Sequence, residues 1–292
     1  FNTMKKLNKK NKINNLILGS DGFVGNTLCA YLEKKGESVT RFDIKRSKKE
    51  DGRTAILPLE EFDRVYFLAW DVGGAKYLYR NNTQLHQLNW NVDLLKNIMP
   101  QLQKHKTPFV FVSSQLAEET DAVYGSTKKL GELWTKQIGG MCVRLWNVYG
   151  VLEKPTEKSH VVGDFVHQAI TNGKIKMMST GEEKRQFIHI QDVCEGLYYV
   201  LENNMNNTVY DLTSFEWSTV RHVADIVGLR AKAKIIPGTQ KGSMRSIAVI
   251  KGKPPGWDAK ISLAEAIKMI VEEAILAKNK KLNPNKQTCS KK

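Results

Sequence analysis

The chain has 292 residues, 41% of them apolar and 26% charged, a balance that suits a folded globular protein and excludes a disordered or fibrous one. Its formal charge of +15 is set by its ends, with five lysines and no acid in residues 1–12 and six lysines and no acid in 278–292, leaving 34 basic against 30 acidic residues between them. The ends therefore read as basic flexible tails, and a nucleic-acid-binding reading, which would rest on those tails alone, is set aside.

In chain order, Asn15–Gly19 is an apolar run closed by glycine, and Val24, Leu28 and Leu32 then recur at helical spacing up to Gly36: a strand, a tight turn and a helix. Strands are predicted at Val39–Ile44 and Val65–Ala69, a helix at Asn91–Met99, a strand at Phe109–Val112, a helix at Tyr124–Gln137 and a strand at Met141–Trp146. Strands alternating with helices imply a doubly wound parallel sheet covered on both faces, over residues 13–150 with a later return near 187–205. From Val151 the rhythm changes. Helices at Phe165–Asn172 and Thr219–Val227, short strands near Lys176 and Val209, and a last amphipathic helix at Leu263–Ala277 predict a smaller mixed α/β domain over 151–277. No apolar run approaches the ~20 residues that cross a bilayer, and the short stretch after Lys12 is a poor signal-peptide core. The cysteines Cys29, Cys142, Cys194 and Cys289 are scattered without metal-ligand spacing. A cytoplasmic protein with reduced thiols and no metal is expected, with Met4 read as its start.

The first turn carries G-x-x-G-x-x-G as Gly19-Ser-Asp-Gly22-Phe23-Val24-Gly25, between a strand and a helix. Glycine lets the backbone turn tightly and approach a pyrophosphate, while the helix N-terminus offers unpaired N–H groups and a positive dipole. Asp43 lies eighteen residues past Gly25, where a carboxylate accepts hydrogen bonds from the adenosine ribose. That carboxylate repels a 2′-phosphate and so favours NAD over NADP, a preference softened by Lys45 and Arg46.

Tyr124 and Lys128 stand at i and i+4 on one helix face, where an ammonium lowers the tyrosine pKa and makes the phenol a usable base toward a substrate hydroxyl. Tyr31 and Lys35 share the spacing, but in the first helix. What separates Tyr124 is the strand Phe109-Val-Phe-Val-Ser113-Ser114, which delivers hydroxyls at its C-terminal end, where open α/β sheets bind ligands. Trp70 and Trp146 follow strand ends near this site and are candidates to touch substrate or cofactor, whereas His189 reads as a packed strand residue.

With these pieces in one order, the sequence resembles the extended short-chain dehydrogenase/reductases, in the NAD-dependent nucleotide-sugar epimerase/dehydratase branch. The resemblance also covers Phe67-Leu-Ala69, Asn91-Val-Asp-Leu-Leu, Arg144-Leu-Trp-Asn147-Val-Tyr-Gly150, Gly181-x-x-x-Arg185-Gln-Phe-Ile-His-Ile-Gln-Asp192 and a closing Gly256-Trp257. It implies a Rossmann-type domain with bound NAD, a C-terminal domain over a nucleotide diphosphate sugar, and a homodimer through a four-helix bundle. Ser114 (Ser113 as second choice), Tyr124 and Lys128 would then be catalytic. Ala69 and Asn91 would join the glycine loop, Asp43, Tyr124 and Lys128 around NAD, and Asn147, Arg185 and Arg245 would contact the nucleotide-sugar. Val72-Gly73-Gly74 looks like the sugar-touching segment of relatives that use GDP-sugars, and so favours a GDP-sugar.

The sequence also departs from the family pattern. Only nine residues separate Ser114 from Tyr124, the stretch from Asp43 to Arg64 is short, and Gln115 stands where dehydratases carry an acid. An amide cannot serve as that acid or base, which counts against a 4,6-dehydratase unless Glu118 or Glu119 substitutes. The expected activity is oxidation at C4 of the sugar with epimerisation as the outcome. The alternatives are a 4-dehydrogenase, a 4,6-dehydratase and a non-catalytic NAD-binding regulator.

Overall fold

The computed structural model describes residues 12–78, 80–150, 160–206, 208–242 and 250–282. The first half runs β1 (Asn14–Leu18), α1 (Phe23–Lys34), β2 (Ser38–Phe42), β3 (Arg64–Phe67), α2 (Ala75–Leu78), α3 (Gln84–His105), β4 (Phe109–Ser114), α4 (Val123–Gln137), β5 (Met141–Leu145) and β6 (Asn147–Tyr149). The second half runs α5 (Val161–Asn172), β7 (Lys174–Lys176), β8 (Lys184–His189), α6 (Ile190–Glu202), β9 (Val209–Leu212), β10 (Trp217–Thr219), α7 (Val220–Ala231), β11 (Lys234–Ile236) and α8 (Leu263–Leu282).

Six strands form one parallel sheet in the order β2-β1-β3-β4-β5-β9. Their near-continuous apolar character follows from burial on both faces. Ile17, Tyr66, Val110 and Val143 point to one core with α1 and α6, while Leu16, Leu18, Val65, Phe67, Phe111 and Cys142 point to another with α3. The winding reverses between β1 and β3, the position at which such sheets open a ligand crevice. This is the Rossmann-like architecture expected from the sequence. A third core, built from α5, α7, α8 and β7, lies around Phe165, Ile175, Val223 and Ile267.

Several elements differ from their sequence-based bounds. The helix predicted at Asn91–Met99 runs from Gln84 to His105, because Pro100 sits at an exposed position inside it rather than ending it. The strand near Val209 is β9, an edge of the six-stranded sheet through Cys142↔Val209 to Leu145↔Leu212, not part of the smaller α/β layer. The last helix continues through Leu282, and the Lys278 ammonium donates to the Ile170 carbonyl at 2.6 Å, so 278–282 are helix rather than tail. The short stretch between β2 and β3 holds only a 3₁₀ turn at Leu59–Glu61, which leaves β2 as the other edge strand. Among the described residues no helix is long and apolar enough to cross a membrane. Cys29, Cys142 and Cys194 are buried free thiols.

Candidate active site

The glycine loop forms at the end of β1. Gly19 has φ +88°, and a Cβ there would stand 2.6 Å from the Ala69 nitrogen; a Cβ on Gly25 would stand 2.1 Å from the Gly19 carbonyl. Only glycine permits both the turn and the approach of α1 to the strand. Asp43, directly after β2, accepts hydrogen bonds from the backbone N–H of Asp21 (3.0 Å) and Lys45 (2.9 Å). Each carboxylate oxygen retains a second acceptor site for a ribose hydroxyl. Lys45 is drawn to the Asp21 carbonyl at 3.1 Å, and Arg46 lies 3.5 Å from the Asp21 carboxylate and 3.7 Å from that of Glu50. Both cations are thus engaged beside the loop.

Gly19, Gly22, Phe23, Val24, Gly25, Asp43 and Ala69 line one part of a cavity of about 1570 Å³. Val72, Gly73, Gly74, Ser114, Tyr124, Lys128, Asn147 and Arg185 line another part of it. Tyr124 and Lys128 project from the first turns of α4, which packs tightly on the turn after β4. A Cβ on Gly125 would lie 2.2 Å from the Glu119 carbonyl and 2.4 Å from that of Leu116, so this glycine lets the short Ser114–Tyr124 connection fold back under the helix.

Lys128 is 4% exposed. Its ammonium donates to the Val112 carbonyl at 2.6 Å and sits 4.0 Å from the centre of the Trp70 ring, 5.1 Å from Phe111 and 5.9 Å from Tyr124. Burial pushes its pKa down to about 7, opposed by the Cys142 and Glu132 side chains. Ser114 Oγ accepts from the Leu116 N–H at 3.2 Å and reaches the Gln115 side chain at 3.2 Å, close to the cavity. Ser113, the second choice for the catalytic hydroxyl, is committed elsewhere: it donates to Glu132 at 2.6 Å.

Other residues singled out from the sequence fall differently. Asn91 is fully buried, accepting from the Asp71 N–H at 2.8 Å and donating to the Asp71 carbonyl at 3.3 Å; it braces the loop after β3 and is not part of the cavity wall. Glu118 is drawn into a pair with Arg144 at 2.7 Å, which with neighbouring cations overcomes desolvation and holds its carboxyl down at about 2. Glu119, by contrast, lies on the cavity wall. Asn147 donates to the Gln186 carbonyl at 2.9 Å, and Arg185 to the Lys184 carbonyl at 2.8 Å. His189 is 7% exposed, packs on Tyr149 and accepts from the Gln191 N–H, as a strand-end residue. Arg245 lies outside the described residues. Tyr31 and Lys35 stack with Tyr198 of α6 instead of entering the cavity, and burial moves the Tyr31 pKa up to about 12. Trp70 lies on the cavity wall with its ring 4.0 Å from the Lys128 ammonium. Trp146 meets Trp217 at 5.8 Å on the cavity wall; Trp217, half exposed on β10, carries no motif that would have revealed it.

A family profile described as "NAD dependent epimerase/dehydratase family" matches residues 15–212. This chain belongs to that family. It is similar to a UDP-N-acetyl-alpha-D-glucosaminuronate decarboxylase from Bacillus cytotoxicus, at 23% identity over 252 residues, covering 72% of this chain and 77% of the relative. In fold it is similar to an epimerase from Methanothermobacter thermautotrophicus, with a TM-score of 0.76 at 18% identity, covering 94% of this chain and 95% of the other. It also resembles the UDP-glucose 4-epimerase of Thermus thermophilus solved with NAD, with a TM-score of 0.71 at 17% identity, covering 90% and 99%. The protein is an NAD-dependent enzyme of the epimerase/dehydratase family. Its own residues fit the cofactor: the glycine cradle closes to any Cβ, and the Asp43 carboxylate beside it has acceptor sites left for a hydroxyl.

Asp43→Ala should weaken NAD binding, because the ribose hydroxyls lose a charged acceptor worth about 1.5–3 kcal/mol. Calorimetry measures it, and equal affinity in variant and wild type would remove Asp43 from the cofactor site.

Proposed function

We propose that this chain oxidises C4 of a nucleotide diphosphate sugar and releases the C4 epimer. The observation that carries this reading is the convergence of Ser114, Tyr124 and Lys128 on the wall of the cavity that also holds the glycine loop and Asp43. Tyr124 takes the proton of the C4 hydroxyl, the Lys128 ammonium favours the phenolate that does so, and the Ser114 hydroxyl orients the sugar oxygen. Bound NAD supplies the oxidant, accepting the hydrogen and electron pair of the C4–H bond. Tyr124 then returns its proton to the oxygen of a ketone that has turned over in the cavity, and the hydride taken up in the first half would return to the other face of C4, which yields the opposite configuration. Arg185 and Asn147 on the facing wall suit the diphosphate and sugar hydroxyls.

A second reading is favoured by the decarboxylase relative. If the substrate is a uronic acid, the same C4 ketone lies β to the C6 carboxylate, and loss of CO2 requires no added acid or base beyond Tyr124. The Gln115 amide after Ser114 argues against a 4,6-dehydratase, although Glu119 stands on the cavity wall. The Val72–Gly74 segment favours a GDP-sugar and the relative's substrate favours a UDP-sugar, so both belong in the substrate panel.

Incubation with UDP-, GDP- and dTDP-sugars and a UDP-uronic acid in deuterated water, followed by mass spectrometry and NMR, separates these outcomes. An inverted C4 without deuterium supports epimerisation, whereas loss of CO2 supports the second reading. Tyr124→Phe should lower turnover by about 10²–10⁴ with folding and NAD binding intact. Tyr31→Phe should behave as wild type. Undiminished sugar oxidation in Tyr124→Phe would remove the assignment.

We also propose a homodimer through α3 and α4. These helices pack against each other and leave Leu85, Leu88, Leu130 and Leu133 exposed, a density of large apolar side chains that suits a helix-bundle interface. Sedimentation should give a dimer for the wild type and a monomer for Leu133→Glu; a monomeric wild type would contradict the interface.

A further inference from the structure

Directly behind the reactive side chains lies a charge cluster that the proposed reaction leaves unused. Arg144, fully buried on β5, donates from Nε to Glu132 Oε1 at 2.7 Å and from Nη2 to Glu132 Oε2 at 2.8 Å, and its Nη2 also lies 2.7 Å from Glu118 Oε1. Ser113 donates to the same Glu132 oxygen at 2.6 Å, and Lys129 lies 3.7 Å from Glu132. Lys251 approaches Glu118 at 3.3 Å. The cluster thereby ties β4 and α4, the elements that carry Ser114, Tyr124 and Lys128, to each other, to the turn between them and to β5. Glu132, 4% exposed, sits on α4 one turn beyond Lys128, on the same face.

We propose that Glu132 is a positioning residue that keeps the buried Lys128 side chain in its charged form, with Arg144 and Ser113 fixing the carboxylate where it does so. This rests on the reading of Lys128 as the group that favours the Tyr124 phenolate. An ammonium in an apolar sheet-helix interface is disfavoured, and burial has already brought Lys128 close to neutrality at physiological pH. The groups that face it are the Val112 carbonyl and Phe111 ring from β4, Trp70 from the loop after β3, Cys142 from β5, and Tyr124 and Glu132 from α4. The Cys142 thiol is pushed far up by burial and stays neutral, which leaves Glu132 as the anionic partner among those named. Its guanidinium clamp prevents the carboxylate from swinging away.

In the pH profile of kcat/KM for sugar oxidation, Glu132→Gln should move the rising limb upward by about one pH unit or more, since a neutral Lys128 no longer favours the phenolate. Glu132→Asp, which keeps the charge, should lose rate with little movement of the limb. Glu132→Gln combined with Arg144→Met removes both members of the buried pair and leaves Glu118 to Lys129 and Lys251, and the limb should move upward in it too, even if the single variant folds poorly. In the cofactor-free protein, a denaturation cycle of Glu132→Gln against Lys128→Met should give a stabilising coupling at about pH 6, where the folded-state ammonium is charged, and none at about pH 9, where it is neutral. An unmoved limb in the neutral variants, or a coupling equal at both pH values, overturns the proposal. Sugar oxidation surviving in Tyr124→Phe would instead overturn the catalytic reading, and the cofactor-free cycle reports on Glu132 independently of that result.

Discussion

The site depends on one costly placement: an ammonium enclosed between a strand carbonyl, two aromatic rings and a helix. Water would solvate Lys128 better than this interface does, as the fall in its pKa to about 7 records. The fold offsets that cost with the 2.6 Å bond to the Val112 carbonyl and the face of Trp70 at 4.0 Å. The result is a cation held rigidly beneath the phenol that shares its helix. Much of the surrounding structure serves that geometry. Gly125 brings α4 down onto the turn after β4, Asn91 braces the loop that follows Trp70, and Arg144 ties α4 to β5 through Glu132.

The cofactor half of the cavity obeys a different constraint, which is space. Gly19 and Gly25 bring α1 so close to β1 that no side chain fits between them, and Asp43 closes the loop by accepting the Asp21 N–H. These two halves meet where the order of the sheet reverses, between β1 and β3, so a dinucleotide held by the glycine loop and Asp43 would reach toward the half that carries Tyr124.

Local patterns were legible in the sequence because local physics sets them. The apolar strands, the glycine turn, Asp43 and the Tyr124–Lys128 face all depend on spacing within a single strand-turn-helix unit. The separation of Tyr124 from its lookalike Tyr31 was legible too, since only Tyr124 follows a strand that ends in hydroxyls; the structure places Tyr31 against Tyr198, away from the cavity. What escaped the sequence is long-range. Val209 joins the sheet only by pairing with Cys142, sixty-seven positions earlier. The helix around Asn91 runs past Pro100 to His105 and starts at Gln84, bounds that spacing alone did not mark. Ser113 and Ser114 look equivalent until one of them meets Glu132 from α4, and Arg144 gives no sign within its apolar strand that it clamps that carboxylate. An acid four residues past Lys128 was the one available signal for Glu132.

The central claim is that Tyr124, over a buried cation, supplies the proton-accepting group. Ultraviolet difference titration of the NAD-bound enzyme measures phenol ionisation directly. The account predicts that one tyrosine of the wild type ionises well below the usual value of about 10, and that this early step is missing in Tyr124→Phe and displaced to higher pH in Lys128→Met. Superimposable titrations of wild type and Tyr124→Phe below that value would contradict it.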